Sequence, residues 1–195
     1  MTKIFTSLAD PELMELLSSG AIGVIPTDTV YGLVAKAESE PAIRRLYAVK
    51  SRERQPGTTI GASVKQLDGL GFPAQALAVA SAYWPDALSV EMSAQLIPRY
   101  LSTGQPVMAA RIPNKPELVA LMEQTGPLMT TSANAPHEPT STSVQMAVDY
   151  FGDEVDFYVD GGDLSGRPPS TIIGFDDNGE IIVYREGAVR IQTSA

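Results

Sequence analysis

The sequence predicts an α/β or α+β fold in which helices pack on a mixed β-sheet. Helical segments alternate with short apolar strands through the first two-thirds of the chain, an order typical of α/β proteins. The last third differs, because two strand-like segments flank Asp176-Asp-Asn-Gly179, a sequence typical of a β-hairpin turn. A hairpin pairs its strands antiparallel, so the predicted sheet contains both strand orientations.

The first helix and the first strand are predicted from caps and from the placement of apolar residues. Asp10 is a favourable N-cap, leucines recur on one face of Pro11 to Leu17, and Gly20 supplies the usual helix end. Ala21 to Ile25 is a continuous apolar run, as expected for a strand that is covered on both faces.

A polar loop is predicted where this strand ends. The segment Pro26-Thr-Asp-Thr-Val-Tyr-Gly-Leu33 begins with hydroxyl groups around a carboxylate and is expected to end in a helix that starts near Val30. Asp28 is interpreted either as the cap of that helix or as a group that holds the loop in shape. Thr29, at the rigid end of the strand, is a candidate ligand contact.

The other elements follow from the same criteria of periodicity, β-propensity and turn residues. Further helices are predicted at Pro41 to Val49, Pro73 to Tyr83, Pro116 to Gln124 and Ser143 to Phe151. Further strands are predicted at Thr58 to Ala62, Ala87 to Met92, Val107 to Arg111, Leu128 to Thr131, Val155 to Val159, Ser170 to Phe175 and Ile181 to Arg185.

Composition limits the classes of function. The chain has 195 residues, which we expect to form one domain over 1–195, and it contains no cysteine. Disulfides and thiolate metal sites are therefore excluded, and no dedicated protein metal site is predicted. No apolar run is long enough to span a membrane and no secretion signal is recognisable, so a cytoplasmic location is expected.

The charge distribution indicates a pocket for a small anion rather than a nucleic-acid surface. The net charge is −9, so any RNA binding is expected to be weak. Lys50, Arg52 and Arg54 nevertheless fall within five positions. A small basic cluster in an acidic chain is more typical of an anion pocket. The one histidine, His137, lies in a proline-flanked loop and is not predicted to be catalytic.

Polar side chains stand where several predicted elements end. Ligands gather at strand ends in folds of this class, because loops there carry polar groups over a rigid base. Besides the loop at Thr27 to Thr29, the polar ends are Lys50 to Arg52, Arg111, Thr130 to Asn134, Pro168 to Thr171 and Arg185. We predict that these groups converge on one anion-binding pocket.

Several short motifs, taken in their order along the chain, resemble those of the YrdC family, the threonylcarbamoyl-AMP synthases. The resemblance comprises PTDTVYGL at 26–33, K-x-R at 50–52, Trp-Pro at 84–85, A-x-R-I-P at 109–113, TSAN at 131–134, Pro-Ser-Thr at 169–171 and R-x-G at 185–187. It spans roughly residues 20 to 190, and the combination of the first two motifs with SAN is highly specific.

The resemblance implies a twisted mixed sheet around an open, positively lined cleft. It implies synthesis of threonylcarbamoyl-AMP and pyrophosphate from L-threonine, bicarbonate and ATP, with Mg²⁺ carried by ATP. A partner complex would then transfer the threonylcarbamoyl group to tRNA.

The same resemblance assigns roles to individual residues. Lys50 and Arg52 would be catalytic, by clamping phosphate as pyrophosphate leaves. The residues that would bind ATP are Lys50, Arg52, Thr130, Ser132, Asn134, Thr140 and Arg185. Those that would bind threonine are Thr29, Tyr31, Arg111 and Ser170, with Arg111 at the carboxylate and the hydroxyls of Thr29 and Ser170 at the amine and hydroxyl. For Tyr31, packing in the core remains an equal alternative.

The chain also departs from the family pattern. Pro56 occupies the position where the family usually has a basic or amide residue that helps to hold ATP. The family's usual Trp-Pro-Gly-Pro-Leu-Thr segment is replaced here by Trp84-Pro-Asp-Ala-Leu-Ser89. These departures fit an alternative interpretation, in which the chain is a YciO-type paralogue that binds RNA or nucleotides without synthase activity.

Overall fold

A ten-stranded mixed sheet organises the part of the chain that the structure, a computed structural model, describes: residues 2–50, 56–135, 138–176 and 178–191. The helices are α1 (Pro11–Ser18), α2 (Glu40–Val49), α3 (Val64–Gly69), α4 (Ala74–Ala80), α5 (Arg99–Ser102), α6 (Pro116–Thr125) and α7 (Val144–Phe151). The strands are β1 (Lys3–Phe5), β2 (Ile22–Pro26), β3 (Tyr31–Lys36), β4 (Thr58–Ile60), β5 (Leu88–Ser93), β6 (Val107–Arg111), β7 (Leu128–Ser132), β8 (Phe157–Val159), β9 (Thr171–Phe175) and β10 (Ile181–Arg185).

The strands lie in the order β1-β8-β2-β3-β7-β4-β6-β5-β9-β10. Four neighbouring pairs are parallel, namely β1 with β8, β8 with β2, β4 with β6, and β5 with β9. The other five pairs are antiparallel. The predicted fold class is therefore confirmed, including the C-terminal hairpin of β9 and β10. Within the described residues, no helix is both long and apolar enough to cross a membrane.

The predicted helix near Val30 is wrong, because Tyr31–Lys36 forms strand β3 antiparallel to β2. The first five residues of β3 are buried on both faces, so the sequence carries neither the two-residue nor the helical period. Thr27 closes the turn between the strands, since its backbone N–H and its hydroxyl both donate to the carbonyl of Val30, at 3.1 and 2.6 Å. The polar motif is thus the tip of a β-hairpin, and Asp28 caps no helix.

The remaining differences concern short elements and element ends. Strand β1 and helices α3 and α5 were not predicted, and each has six residues or fewer. The helix predicted to run to Tyr83 ends as an α-helix at Ala80 and continues as a 3₁₀ turn, Ser81–Tyr83. By contrast, β6 and β10 have the predicted bounds.

Two apolar clusters cover the two faces of the sheet. Alternate residues of a strand point to opposite faces, and accordingly Ile22, Val24 and Leu33 belong to one cluster whereas Ile25 and Val34 belong to the other. Helices α2, α4 and α7 contribute to the first cluster, and α1 and α6 contribute to the second. Helices on both faces leave the ends of the strands as the places where polar side chains can gather.

Substitution of Gly23 by alanine should destabilise the protein by about 1–3 kcal/mol, because the new Cβ has no space. Gly23 lies in β2, and a Cβ there would stand 2.4 Å from the Phe157 ring and 2.5 Å from the Phe157 carbonyl oxygen. Urea unfolding measures the effect. Gly69→Ala is the matched control, since nothing lies within 4 Å of its Cβ position. Equal free energies of unfolding for the two variants would contradict the packing of β2 against β8.

Candidate functional site

A pocket of about 170 Å³ is lined by residues of the central strands, of the tip between β2 and β3, and of the C-terminal hairpin. Its volume is below the roughly 300–1,000 Å³ typical of drug-sized ligands, so it suits a smaller molecule or part of a larger one. The pocket is lined by Thr27, Thr29, Val30, Gly32, Pro56, Gly57, Thr58, Arg111, Thr130, Thr131, Ser132, Pro169, Ser170, Ile172 and Arg185.

Sheet topology brings these distant segments together. Because β4 pairs parallel with β6 and antiparallel with β7, β6 and β7 run in opposite directions. Strand β7 ends at one edge of the sheet, where its antiparallel neighbour β3 begins, and β6 ends at the opposite edge, where its antiparallel neighbour β5 begins. Strand β9, parallel to β5, also begins at this edge, and β10 ends beside it. Gly32 permits a close approach within the wall, because a Cβ there would stand 2.5 Å from the Thr130 hydroxyl oxygen. The pocket is therefore lined from both ends of the strands, with the hairpin tip of β2 and β3 and the end of β7 on one side and the ends of β6 and β10 on the other.

Arg111 ends β6 and forms a buried ion pair with the hairpin tip. Its Nη2 donates to Asp28 Oδ1 at 2.7 Å, and its Nη1 donates to Ser89 Oγ at 3.3 Å. The side chains of Arg111 and Asp28 are only 4% and 3% exposed. Asp28 thus fastens the tip to β6, in agreement with the second interpretation of this residue. Within the described part of the chain, Asp28 Oδ2 and Arg111 Nε have no hydrogen-bond partner.

A second set of hydrogen bonds continues from Arg111 across the pocket wall. Ser89 Oγ lies 3.0 Å from Ser170 Oγ, and Arg185 Nη2 donates to Ser170 Oγ at 3.1 Å. Arg185 also donates from Nε and Nη2 to the Ser170 carbonyl, at 3.1 and 2.8 Å. Burial lowers the pKa of the Arg185 guanidinium, and the positive charge of Arg111 lowers it further. Two cationic side chains therefore face one small space, which favours an anionic ligand group.

Lys50 lies behind the pocket wall rather than in it. It is the C-cap of α2, is 3% exposed, and its Nζ donates to the Ser132 carbonyl at 2.9 Å. The same nitrogen donates to the carbonyl and the side-chain oxygen of Asn134, at 2.6 and 2.8 Å. Lys50 thus fastens α2 to the loop after β7. A phosphate that approached Lys50 would have to replace one of these oxygens.

The structure brings most of the predicted site residues together. Those that line the pocket are Thr29, Thr130, Ser132, Arg111, Ser170 and Arg185. Asn134 lies behind the wall with Lys50, and its side-chain oxygen accepts from the Ser132 hydroxyl at 2.7 Å. Thr140 is half-buried outside the lining, beside Ser141, whose hydroxyl donates to the carbonyl of Ala133. Arg52, Arg54 and His137 lie outside the described residues.

The Tyr31 side chain lies in the core and not among the residues that line the pocket. The Tyr31 side chain is 0% exposed and belongs to the first apolar cluster. Its hydroxyl donates to the Gly162 carbonyl at 2.9 Å and accepts from the Gly161 N–H at 2.8 Å. Burial raises the pKa of the Tyr31 hydroxyl. These contacts favour the core alternative considered for this residue.

Two groups near the pocket were not assigned from the sequence. Ser89 stands out in the sequence only as a departure from a family motif. Only the fold shows that it contacts Arg111 and, through Ser170, is linked to Arg185. Lys115 supports the hairpin tip, because its Nζ donates to the carbonyls of Pro26 and Thr27 at 3.0 and 3.4 Å. Burial lowers the pKa of Lys115. A lysine before a proline at a helix start carries no sequence signal for such a role.

Comparison with known proteins identifies relatives of the whole described fold. The Sua5/YciO/YrdC family model, described as "Telomere recombination", matches residues 15–187. The threonylcarbamoyl-AMP synthase of Pseudoalteromonas translucida is 31% identical over 163 residues, which are 80% of this chain and 87% of that protein. The enzyme of the same name from Pseudomonas entomophila is 31% identical over 170 residues, covering 85% of this chain and 91% of the relative.

Solved structures agree with this comparison. Pyrococcus abyssi Sua5 in complex with L-threonine has a TM-score of 0.83 and 26% identity, covering 95% of this chain and 58% of that one. The present chain therefore spans a little over half the length of that Sua5 chain. E. coli YciO has a TM-score of 0.80 at 24% identity and is covered over 96% of its length, a likeness that shows the fold alone.

Proposed function

This chain belongs to the Sua5/YciO/YrdC family, and on that premise we propose that it is an L-threonylcarbamoyladenylate synthase. The reaction consumes L-threonine, bicarbonate and ATP and yields threonylcarbamoyl-AMP and pyrophosphate. Curated relatives at about 30% identity over most of the chain carry this activity in their names. The observation that carries the proposal is the pocket wall on which Thr29, Arg111, Ser170 and Arg185 converge.

We place the amino-acid substrate in the pocket. Its carboxylate would lie at Arg111, because a guanidinium can bind a carboxylate through two parallel hydrogen bonds. Thr29 would supply a small hydroxyl from the hairpin tip, where Thr27 Oγ1 lies 3.1 Å from Thr29 Oγ1 and holds it in place. The crystal structure of P. abyssi Sua5 is a complex with L-threonine, which agrees with this choice of substrate.

We place ATP beside the amino acid, along Thr130, Ser132 and Arg185 and over the loop that Lys50 fastens. Arg52, with its positive charge, and Thr140 are proposed to complete this region. Mg²⁺ would come with ATP, coordinated by phosphate oxygens. Around the pocket the protein offers mainly hydroxyl groups, and the Asp28 carboxylate is already paired with Arg111. No side chain is therefore assigned to the metal.

The proposed chemistry needs no covalent enzyme intermediate. The threonine nitrogen attacks the carbon of bicarbonate, water leaves, and a carbamate forms. A carbamate oxygen then attacks the α-phosphorus of ATP, and the bond to the β-phosphate oxygen breaks so that pyrophosphate departs. The protein contributes by positioning the two substrates and by stabilising the negative charge that accumulates on the phosphates, a role that we propose for Arg185.

The product is proposed to pass to a complex that transfers the threonylcarbamoyl group to tRNA, in the cytoplasm. This step is supported by the family resemblance. The formal net charge of −9 makes strong general RNA binding by this chain unfavourable.

Pyrophosphate release should depend on threonine. With ATP and bicarbonate present, we expect release to rise at least about 10-fold above background when L-threonine is added, since the barrier then falls by roughly 1.4 kcal/mol or more. L-alanine is the matched control substrate, because it lacks the hydroxyl. Release at the same rate with and without threonine would refute the proposed activity. Nucleotide binding without turnover would instead favour a YciO-type binding protein.

A further inference from the structure

Ser89 joins the two arginines of the pocket although it does not line the pocket itself. It lies in β5, is 0% exposed, and its Oγ accepts from Arg111 Nη1 at 3.3 Å. On its other side, Ser89 Oγ lies 3.0 Å from Ser170 Oγ, which accepts from Arg185 Nη2 at 3.1 Å. Ser170 does line the pocket. The two hydroxyls thus form a bridge between two side chains that can only donate hydrogen bonds.

The protons of this bridge can be assigned by counting donors and acceptors. Arginine offers no acceptor, so each serine oxygen must accept from its arginine. Only one of the two hydroxyl protons can lie between Ser89 and Ser170. Among the hydrogen bonds of the described residues, Ser170 Oγ is the sole acceptor within reach of the Ser89 hydroxyl. Because a buried hydroxyl without an acceptor costs about 1–3 kcal/mol, Ser89 donates to Ser170.

The hydroxyl proton of Ser170 is then left for a ligand. Its oxygen already accepts from Ser89 and from Arg185, and the residue stands at the pocket surface. Arg111, Ser170 and Arg185 therefore present only donors to the pocket. Such a wall matches a group that only accepts, a carboxylate or a phosphate oxygen, and it does not match an ammonium group, which only donates.

We infer that Ser89 is a positioning residue that makes Ser170 a hydrogen-bond donor toward the carboxylate of the amino-acid substrate. This inference rests on the proposed function and changes one assignment made from the sequence, where Ser170 was a partner for the substrate amine or hydroxyl. Ser89 acts in two ways: it holds Arg111 from one side and fixes the direction of the Ser170 hydroxyl from the other. It touches no substrate.

The test compares Ser89→Ala with Ser89→Thr. Alanine removes both hydrogen bonds, whereas threonine retains the hydroxyl and is the residue usual in the family at this position. Calorimetry should show that Ser89→Ala raises the Kd for L-threonine at least about 10-fold, while Ser89→Thr stays within about 3-fold of the unmodified protein. Ser93→Ala is the matched control, because Ser93 lies in the same strand with an exposed side chain.

A second readout separates positioning from a general loss of structure. L-threonine methyl ester lacks the charged carboxylate, so the ratio of its Kd to that of L-threonine measures carboxylate recognition. Ser89→Ala should lower this ratio, and it should weaken threonine binding by a smaller factor when Ser170→Ala is already present than in the unmodified protein, because only the hold on Arg111 is then left to lose. An unchanged ratio, or effects that simply multiply, would overturn the inference.

The outcomes also separate this inference from the proposed function. If the unmodified protein binds neither L-threonine nor its ester, the proposed function fails. If the unmodified protein binds threonine and Ser89→Ala binds it equally well, the inference alone fails. Should Ser89→Ala unfold below the assay temperature, Ser89→Cys takes its place, since a thiol of similar size is only a weak donor and acceptor. The same rise in Kd is then expected, and an unchanged Kd counts against the role of Ser89.

Discussion

Replacing Lys50 with alanine should lower the rate of threonine-dependent pyrophosphate release at least about 10-fold, which corresponds to roughly 1.4 kcal/mol of activation free energy. The reason lies in the loop after β7. Lys50 Nζ donates to the carbonyls of Ser132 and Asn134 and to the Asn134 side chain. Without the ammonium each of these three oxygens loses a hydrogen bond, although Asn134 Oδ1 still accepts from Ser132 Oγ and the Ser132 carbonyl still accepts from the Asn134 N–H. A lost hydrogen bond in such a part-buried place is costly. The loop that we propose to carry the nucleotide then loses its position.

Two further variants make this prediction specific. Lys50→Met keeps the aliphatic volume without the charge and should lose as much activity as Lys50→Ala, since packing by the stem is not the cause. Lys65→Ala, at an exposed position of α3, should leave the rate unchanged. From the sequence, Arg52→Ala is expected to reduce the rate similarly. Full activity in both Lys50 variants would mean that the loop holds its shape without the ammonium, and the assignment would be wrong.

The convergence of distant polar residues could be anticipated from the sequence. Thr29, Arg111, Ser132 and Ser170 each stand where an apolar strand begins or ends, and polar ligand-binding groups are typical of such positions in folds of this class. The family motif order added the expectation of a single pocket. The structure places these four residues in one pocket wall.

What the sequence could not provide is the set of partners behind that wall. Asp28 and Arg111 lie 83 positions apart, and Ser89 and Ser170 lie 81 apart. Pairs at such separations depend on strand order, which no local pattern encodes. Lys50 is similar, because its partners include backbone carbonyls, and every residue has one. The prediction of a helix in place of β3 was wrong for another reason, because a strand that is buried on both faces shows no two-residue period of apolar residues.

Replacing Arg111 with methionine should produce the largest loss of stability, about 3–5 kcal/mol, because it leaves a buried carboxylate without its cation. The Asp28 side chain is 3% exposed, and among the described residues its Oδ2 has no hydrogen-bond partner, so it cannot turn to water easily. Urea unfolding gives the free energy difference. Asp28→Asn should cost less, since the amide oxygen can still accept from Arg111 and no negative charge remains to be buried.

The double variant decides whether the charge pair is the cause. If the loss in Arg111→Met comes from the unpaired Asp28 carboxylate, adding Asp28→Asn should recover a large part of the stability, so that the double variant loses less stability than the sum of the two single losses. Threonine binding should behave differently, because the Asp28→Asn change in the hairpin tip cannot replace the Arg111 guanidinium that we propose as the partner of the substrate carboxylate. We therefore expect recovered folding with no recovered binding. Strictly additive stability effects would show that Asp28 and Arg111 act independently, whereas recovered binding would remove Arg111 from the proposed substrate site.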